Sequence, residues 1–125
     1  MVRTLTRTGS LFLIVGVLAI SSGASTPASG QQPAQIVDVT VERFSFTPSE
    51  IRMKVGTPVE IRLRSEDTDH GFRISGTEIN ITIPKRGRGI ATVRFQPDKP
   101  GRYEFECSKL CGAGHAFMRG TIVAE

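Results

Sequence analysis

Residues 107–118 read Cys-Ser-Lys-Leu-Cys-Gly-Ala-Gly-His-Ala-Phe-Met, and these twelve positions hold both cysteines of the chain, one of its two histidines and one of its three methionines. Thiolate, imidazole and thioether are soft, polarisable donors, and such a set favours copper over magnesium, calcium or manganese. A mononuclear blue-copper centre needs one thiolate, two imidazoles and a weak axial thioether. Cys111, His115 and Met118 supply three of these four. The missing imidazole is the other histidine, His70, which lies far upstream, so a neighbouring strand or loop must return it to the site. Cys107 is then one thiolate more than a single copper requires. Two thiolates four residues apart on a loop can both bridge a pair of copper ions, each completed by one histidine and one weak axial donor, and the count of donors fits a dinuclear centre.

Cysteine and histidine spacing alone leaves two other readings open. Nearby cysteines in an exported protein often form a disulfide, and two cysteines with two histidines can hold a structural zinc. Neither reading needs the thioether of Met118, which is what weighs against them.

The pattern Cys-x3-Cys-Gly-x2-His-x2-Met, preceded by Ser65-Glu66-Asp67-Thr68-Asp69-His70-Gly71-Phe72 and by Pro100-Gly101-Arg102-Tyr103 leading into Cys107-Ser108, resembles the CuA domain of cytochrome c oxidase subunit II and is similar to that of nitrous oxide reductase. The resemblance covers roughly residues 36–125, one domain's length. It implies that Cys107 and Cys111 bridge two coppers, that His70 and Met118 complete one and that His115 completes the other. The second copper's weak axial ligand in the family is a backbone carbonyl, which falls here at Lys109. The family's oxidases usually carry an acidic residue there; lysine keeps the carbonyl and changes the charge beside it. The oxidase subunit also has a transmembrane hairpin before its copper domain and tryptophan-rich aromatic residues where cytochrome c delivers electrons. No such hairpin is read here, and the chain has no tryptophan.

The elements that must position these donors begin after the first thirty or so residues. Arg3 and Arg7, the apolar run Leu11–Ile20 and the small residues Ser22-Gly23-Ala24 make residues 1–24 an expected signal peptide. The run is short against the ~20 residues of a membrane span. Membrane association is expected only if this segment stays uncleaved as an anchor. Residues 25–35, small, polar and proline-containing, are expected to form a flexible leader, and residues 36–125 one folded domain. Residues 1–24 carry two arginines and no acid, so without them the formal charge falls from +4 to +2. With so slight an excess, no lysine-rich run and no base-stacking aromatics, nucleic acid is not an expected partner.

The remainder reads as β-structure throughout, in short period-two segments broken by turn residues. Ile51, Met53 and Val55 alternate with polar residues, as do Val59, Ile61 and Leu63 beyond Gly56-Thr57-Pro58; the pair is expected to be a hairpin. Val37, Val39 and Val41 share a phase that Phe44 and Phe46 break, which predicts a bulge or bend near Glu42 and Arg43 that lets one strand serve two sheets. His70, Phe72 and Ile74 share a face, as do Tyr103, Phe105 and Cys107, so two strands point a donor each toward the core edge. The Gly112-Ala113-Gly114 turn swings His115 back. Ile79, Ile81 and Ile83, then Ala91, Val93 and Phe95, then Ile122 and Val123 supply further strands. Lys85, Arg86 and Arg88 make a basic loop read as a solvated turn. The expected fold is all-β: a cupredoxin-like Greek-key β-sandwich of about seven to eight strands, the loop between its last two strands holding most of the donors.

A copper pair bridged by two sulfurs on a stiff scaffold suits one-electron transfer. No nucleophile and base pair is offered for hydrolysis. The expected protein is an exported, periplasmic electron carrier, either stand-alone or as the module where electrons enter a terminal oxidase, with a c-type cytochrome or terminal oxidase as redox partner. The alternatives are a periplasmic copper-delivery protein and a mononuclear blue-copper carrier.

Overall fold

The computed structural model describes residues 32–125; the expected signal segment 1–24 and residues 25–31 of the expected leader lie outside the described residues. Nine strands follow in order: β1 (Gln35–Glu42), β2 (Ser45–Thr47), β3 (Glu50–Met53), β4 (Val59–Ser65), β5 (His70–Ile74), β6 (Asn80–Ile83), β7 (Ala91–Phe95), β8 (Gly101–Glu106) and β9 (Arg119–Ala124). A 3-10 turn, His115–Phe117, interrupts the last loop. The strands form a four-stranded sheet in the order β2-β1-β4-β7 and a five-stranded sheet in the order β3-β9-β8-β5-β6. The chain crosses repeatedly from one sheet to the other, as in a Greek-key sandwich. The count exceeds the expected seven to eight because the three-residue β2 is a strand of its own.

Alternation drives this arrangement. Val59, Ile61, Leu63 and Ser65 of β4 are all buried, as are His70, Phe72 and Ile74 of β5, while Arg64 and Arg73 between them face outward. Each sheet thereby turns one apolar face inward. At the centre Phe46, Phe72 and Phe105 meet with ring centroids 5.9, 5.2 and 5.1 Å apart, two of the three contacts edge-to-face. Phe72 stands two residues after His70, and Phe105 two before Cys107, so this aromatic contact sets the spacing of the two strands that present donors.

Two local expectations are corrected. The Ile51–Val55 and Val59–Leu63 segments do not form a hairpin: β3 pairs in parallel with β9, whereas β4 pairs in parallel with β1 and antiparallel with β7. Both alternate because each turns one face to the core from its own sheet, and a turn at Lys54–Thr57 with Gly56 at φ 78° carries the chain from one sheet to the other. Alternation reports burial and not the hydrogen-bonding partner. Nor does one strand serve two sheets at Glu42–Arg43. The chain reverses there, and β2 pairs antiparallel with β1 in the same sheet with Val41 opposite Phe46. The phase break is a tight hairpin turn, and the passage to the other sheet comes after it, between β2 and β3.

Candidate metal centre

The strands β5 and β8 pair only at Arg73–Glu106 and Ile74–Phe105. Beyond that point the ladder gives way, and the Gly71 N–H points at Cys107 Sγ, 3.4 Å away, instead of at a carbonyl. Residues 107–118 fold over this open end, and the Cys107 N–H donates to the Met118 carbonyl across the loop's base at 3.0 Å. Close approach requires a glycine at position 71, because a Cβ there would run into Ser108 and the Lys109 amide.

All six residues singled out from the sequence converge at this end. Cys107 Sγ lies 3.7 Å from Cys111 Sγ, 3.9 Å from His70 Nδ1 and 3.1 Å from the Lys109 carbonyl oxygen. Cys111 Sγ lies 3.8 Å from His115 Nδ1 and 3.8 Å from Met118 Sδ. His70, Cys107, Cys111 and Met118 are buried, and His115 is half-buried. The donor atoms of His70, Cys107 and Cys111 all fall within 4.8 Å of one another. Both cysteines are free. A disulfide would hold the sulfurs at about 2.0 Å. Donors sharing a tetrahedral ion with bonds of about 2.0–2.3 Å stand roughly 3.3–3.8 Å apart, and the sulfur–sulfur and sulfur–imidazole spacings of 3.7–3.9 Å lie close to the upper end of that range. The donor set therefore fits one or two soft ions placed between the sulfurs. Proximity to one sulfur does not assign a donor to one nucleus, because bridging sulfurs touch both.

The surroundings orient the imidazole of His70. Its Nε2 lies 2.6 Å from Asp67 Oδ1. A carboxylate accepts, so the proton sits on Nε2 and the Nδ1 lone pair faces the sulfurs, the tautomer that can bind metal. Burial pushes the Asp67 carboxyl up, but hydrogen bonds from His70 and from the Arg43 and Thr68 amides together outweigh it and hold it at about 2. Burial raises the Cys111 thiol to about 11, helped by Cys107 and opposed by the Arg43 charge. Lys109 Nζ lies 3.5 Å from Asp69 Oδ2, so the lysine's charge meets an acid one residue before His70. The basic loop Lys85–Arg88 is exposed; its Lys85 N–H donates to Asp69 Oδ1 at 2.7 Å and its Arg86 N–H to the Asp67 carbonyl. It buttresses the approach to His70.

Four contributors escaped sequence reasoning. Asp67 and Gly71 lie inside the segment around His70, and a carboxylate three residues before a candidate ligand was a readable signal. Arg43 and Phe44 had none. The Arg43 Nε–H donates to the Cys111 carbonyl at 2.7 Å across 68 positions, and the Phe44 ring lies where a Cβ on Gly112 or Gly114 would be.

The architecture is thus an all-β sandwich that gathers soft donors at one end, most of them on the loop between its last two strands. The chain belongs to the cupredoxin-like domain family, which matches residues 10–124. It is 35% identical over 82 residues to cytochrome c oxidase subunit 2 of Thermus thermophilus, covering 66% of this chain and 59% of that protein. The chain thus spans about three fifths of that relative's length. Among solved structures it is similar to a heme-copper terminal oxidase dimer, with TM-score 0.63 and 27% identity over 81% of this chain and 76% of that one. It shares its fold with the periplasmic domain of subunit II of cytochrome oxidase of Bradyrhizobium japonicum, with TM-score 0.65 and 20% identity over 73% and 83% of the two chains.

Proposed function

We propose that this domain carries single electrons through a dinuclear copper centre of the CuA type, outside the cytoplasm, in exchange with a protein redox partner such as a c-type cytochrome or a terminal oxidase. One observation carries the reading: two free sulfurs 3.7 Å apart, each with an imidazole Nδ1 at 3.8–3.9 Å. Copper bound there would supply a one-electron couple shared over two nuclei. Cys107 and Cys111 would bridge, His70 and His115 would each complete one nucleus, and Met118 Sδ and the Lys109 carbonyl would be the weak axial donors. The similarity to cytochrome c oxidase subunit 2 supports both the metal and the kind of partner.

The chain's own residues prepare the site for electron exchange. His70 is held by Asp67 and sealed from solvent, whereas His115 is half-buried. Leu110 and Phe117 stand 79% and 83% exposed on the same loop. Exposed apolar side chains on the loop that carries a half-buried ligand suit brief contact with a protein partner. Donors on strand ends and on a loop closed at its base move little, which suits a centre that changes charge without rearranging.

Absorption and electron paramagnetic resonance of the copper-loaded secreted domain test this reading. A purple species with one unpaired electron shared over two copper nuclei is expected. A single-copper spectrum would replace it with a blue-copper carrier, and ready surrender of the metal to an acceptor protein would point to copper delivery.

A further inference from the structure

We propose that Arg43 is a positioning residue of the metal centre, tying the His70 side of the site to the Cys111 side; this rests on the copper reading above. Arg43 belongs to the β1–β2 turn of the four-stranded sheet, whereas His70 and the loop 107–118 belong to the five-stranded sheet. It reaches across in two directions. Its main-chain N–H donates to Asp67 Oδ2 at 2.9 Å, and Asp67 Oδ1 holds His70 Nε2 at 2.6 Å. Its side-chain Nε–H donates to the Cys111 carbonyl at 2.7 Å. One residue therefore sets both the carboxylate behind the first imidazole and the backbone of the second thiolate.

The acid between them is itself fixed. The Thr68 N–H donates to Asp67 Oδ1 at 2.7 Å, and the Ser65 hydroxyl lies 3.3 Å from the same oxygen. The neighbouring Phe44 completes the support: Cβ atoms on Gly112 and Gly114 would collide with its ring, so the chain on either side of Ala113 lies directly against it. The turn is a platform under the loop, and Arg43 is its only side-chain hydrogen bond to Cys111 among the described residues.

Arginine suits this role better than lysine. The planar guanidinium presents Nε–H in a fixed direction, whereas an ammonium on a flexible stem does not. The charge matters as well. A cation beside Cys111 favours the more electron-rich state of the centre and so raises its reduction potential, in the direction expected for a positive charge near two thiolates.

Two variants of the full chain separate these roles, because the main-chain bond to Asp67 survives any side-chain change. Arg43→Lys keeps the charge and loses the directed bond; Arg43→Gln loses both. Both copper-loaded variants are expected to keep the dinuclear spectrum but to lose copper to an excess of a soft-metal chelator about tenfold faster than the parent, the scale of one lost charge-assisted hydrogen bond. The potential should fall in Arg43→Gln and change by less in Arg43→Lys, and the metal-free melting temperature should stay near the parent's in both. Release rates within about twofold of the parent's would overturn the proposal. So would failure of the metal-free variants to fold, which would make Arg43 a residue of the fold alone. Absence of a dinuclear spectrum in the parent would instead remove the copper reading on which the proposal stands.

Discussion

At the scale of single residues, the donors were legible because soft-metal chemistry uses few residue types, and the chain has only two cysteines and two histidines. Their supports were less so, since a carboxylate or arginine has many uses and only tertiary contact reveals this one. Unequal roles are expected of the donors. Cys107→Ser should abolish the dinuclear spectrum and leave at most a mononuclear site on Cys111, His115, Met118 and His70, so persistence of the purple species would contradict bridging. Met118→Leu should keep both metals and shift the potential, because a thioether in this position binds weakly; metal analysis and voltammetry read the two effects separately. The Cys111 thiol, raised to about 11 chiefly by burial, holds its proton at neutral pH. Binding must displace that proton, so copper affinity should fall as pH falls, about tenfold per unit for each proton released. Competition titrations at about pH 6 and about pH 8 measure the slope. The sign reverses for the metal-free fold, which favours the neutral thiol. The contribution of Cys111 to stability is present below its ordinary value of 9.0 and is lost as pH rises through about 11.

At the scale of elements, periodicity identified the strands and their inward faces but not their partners. The alternating stripes of β3 and β4 look alike whether the strands pair edge to edge or lie in opposite sheets, and the short β2 is hidden by a turn that resembles a bulge. The direction in which His70 and Cys107 point was nonetheless readable, because alternation within one strand needs no knowledge of its neighbour. Two glycines, one on β5 and one on β9, separate fold from site. Gly71→Ala would place a methyl against Ser108 and the Lys109 amide, lifting the loop from β5 and disturbing the Gly71 N–H contact to Cys107. A large loss of copper affinity is expected with little change in the metal-free melt. Gly120→Ala would place its methyl against the Phe105 ring and the Ser49 carbonyl. Overpacking of this kind costs roughly 1–3 kcal/mol, so calorimetry should show a lower melting temperature while the bound spectrum stays as it is. The opposite pattern in either variant would mean that the loop and the core are not separable.

At the scale of the whole molecule, the donors come from β5 and from the connection between β8 and β9, so metal can bind tightly only where both are folded. At free metal 100-fold above the dissociation constant, binding adds about 2.7 kcal/mol. That is roughly 10–20 °C in melting temperature for a domain of this size, and scanning calorimetry with and without copper tests it. The position of β9 has a temporal consequence. It lies between β3 and β8 and runs parallel to one and antiparallel to the other, so the five-stranded sheet cannot close until Arg119–Ala124 has slotted into its interior. The five donors immediately before it are therefore among the final parts of the domain to find their places. A chain whose last strand is not yet in place would offer loose thiols but no finished cage, so the ion is captured only after Arg119–Ala124 has arrived.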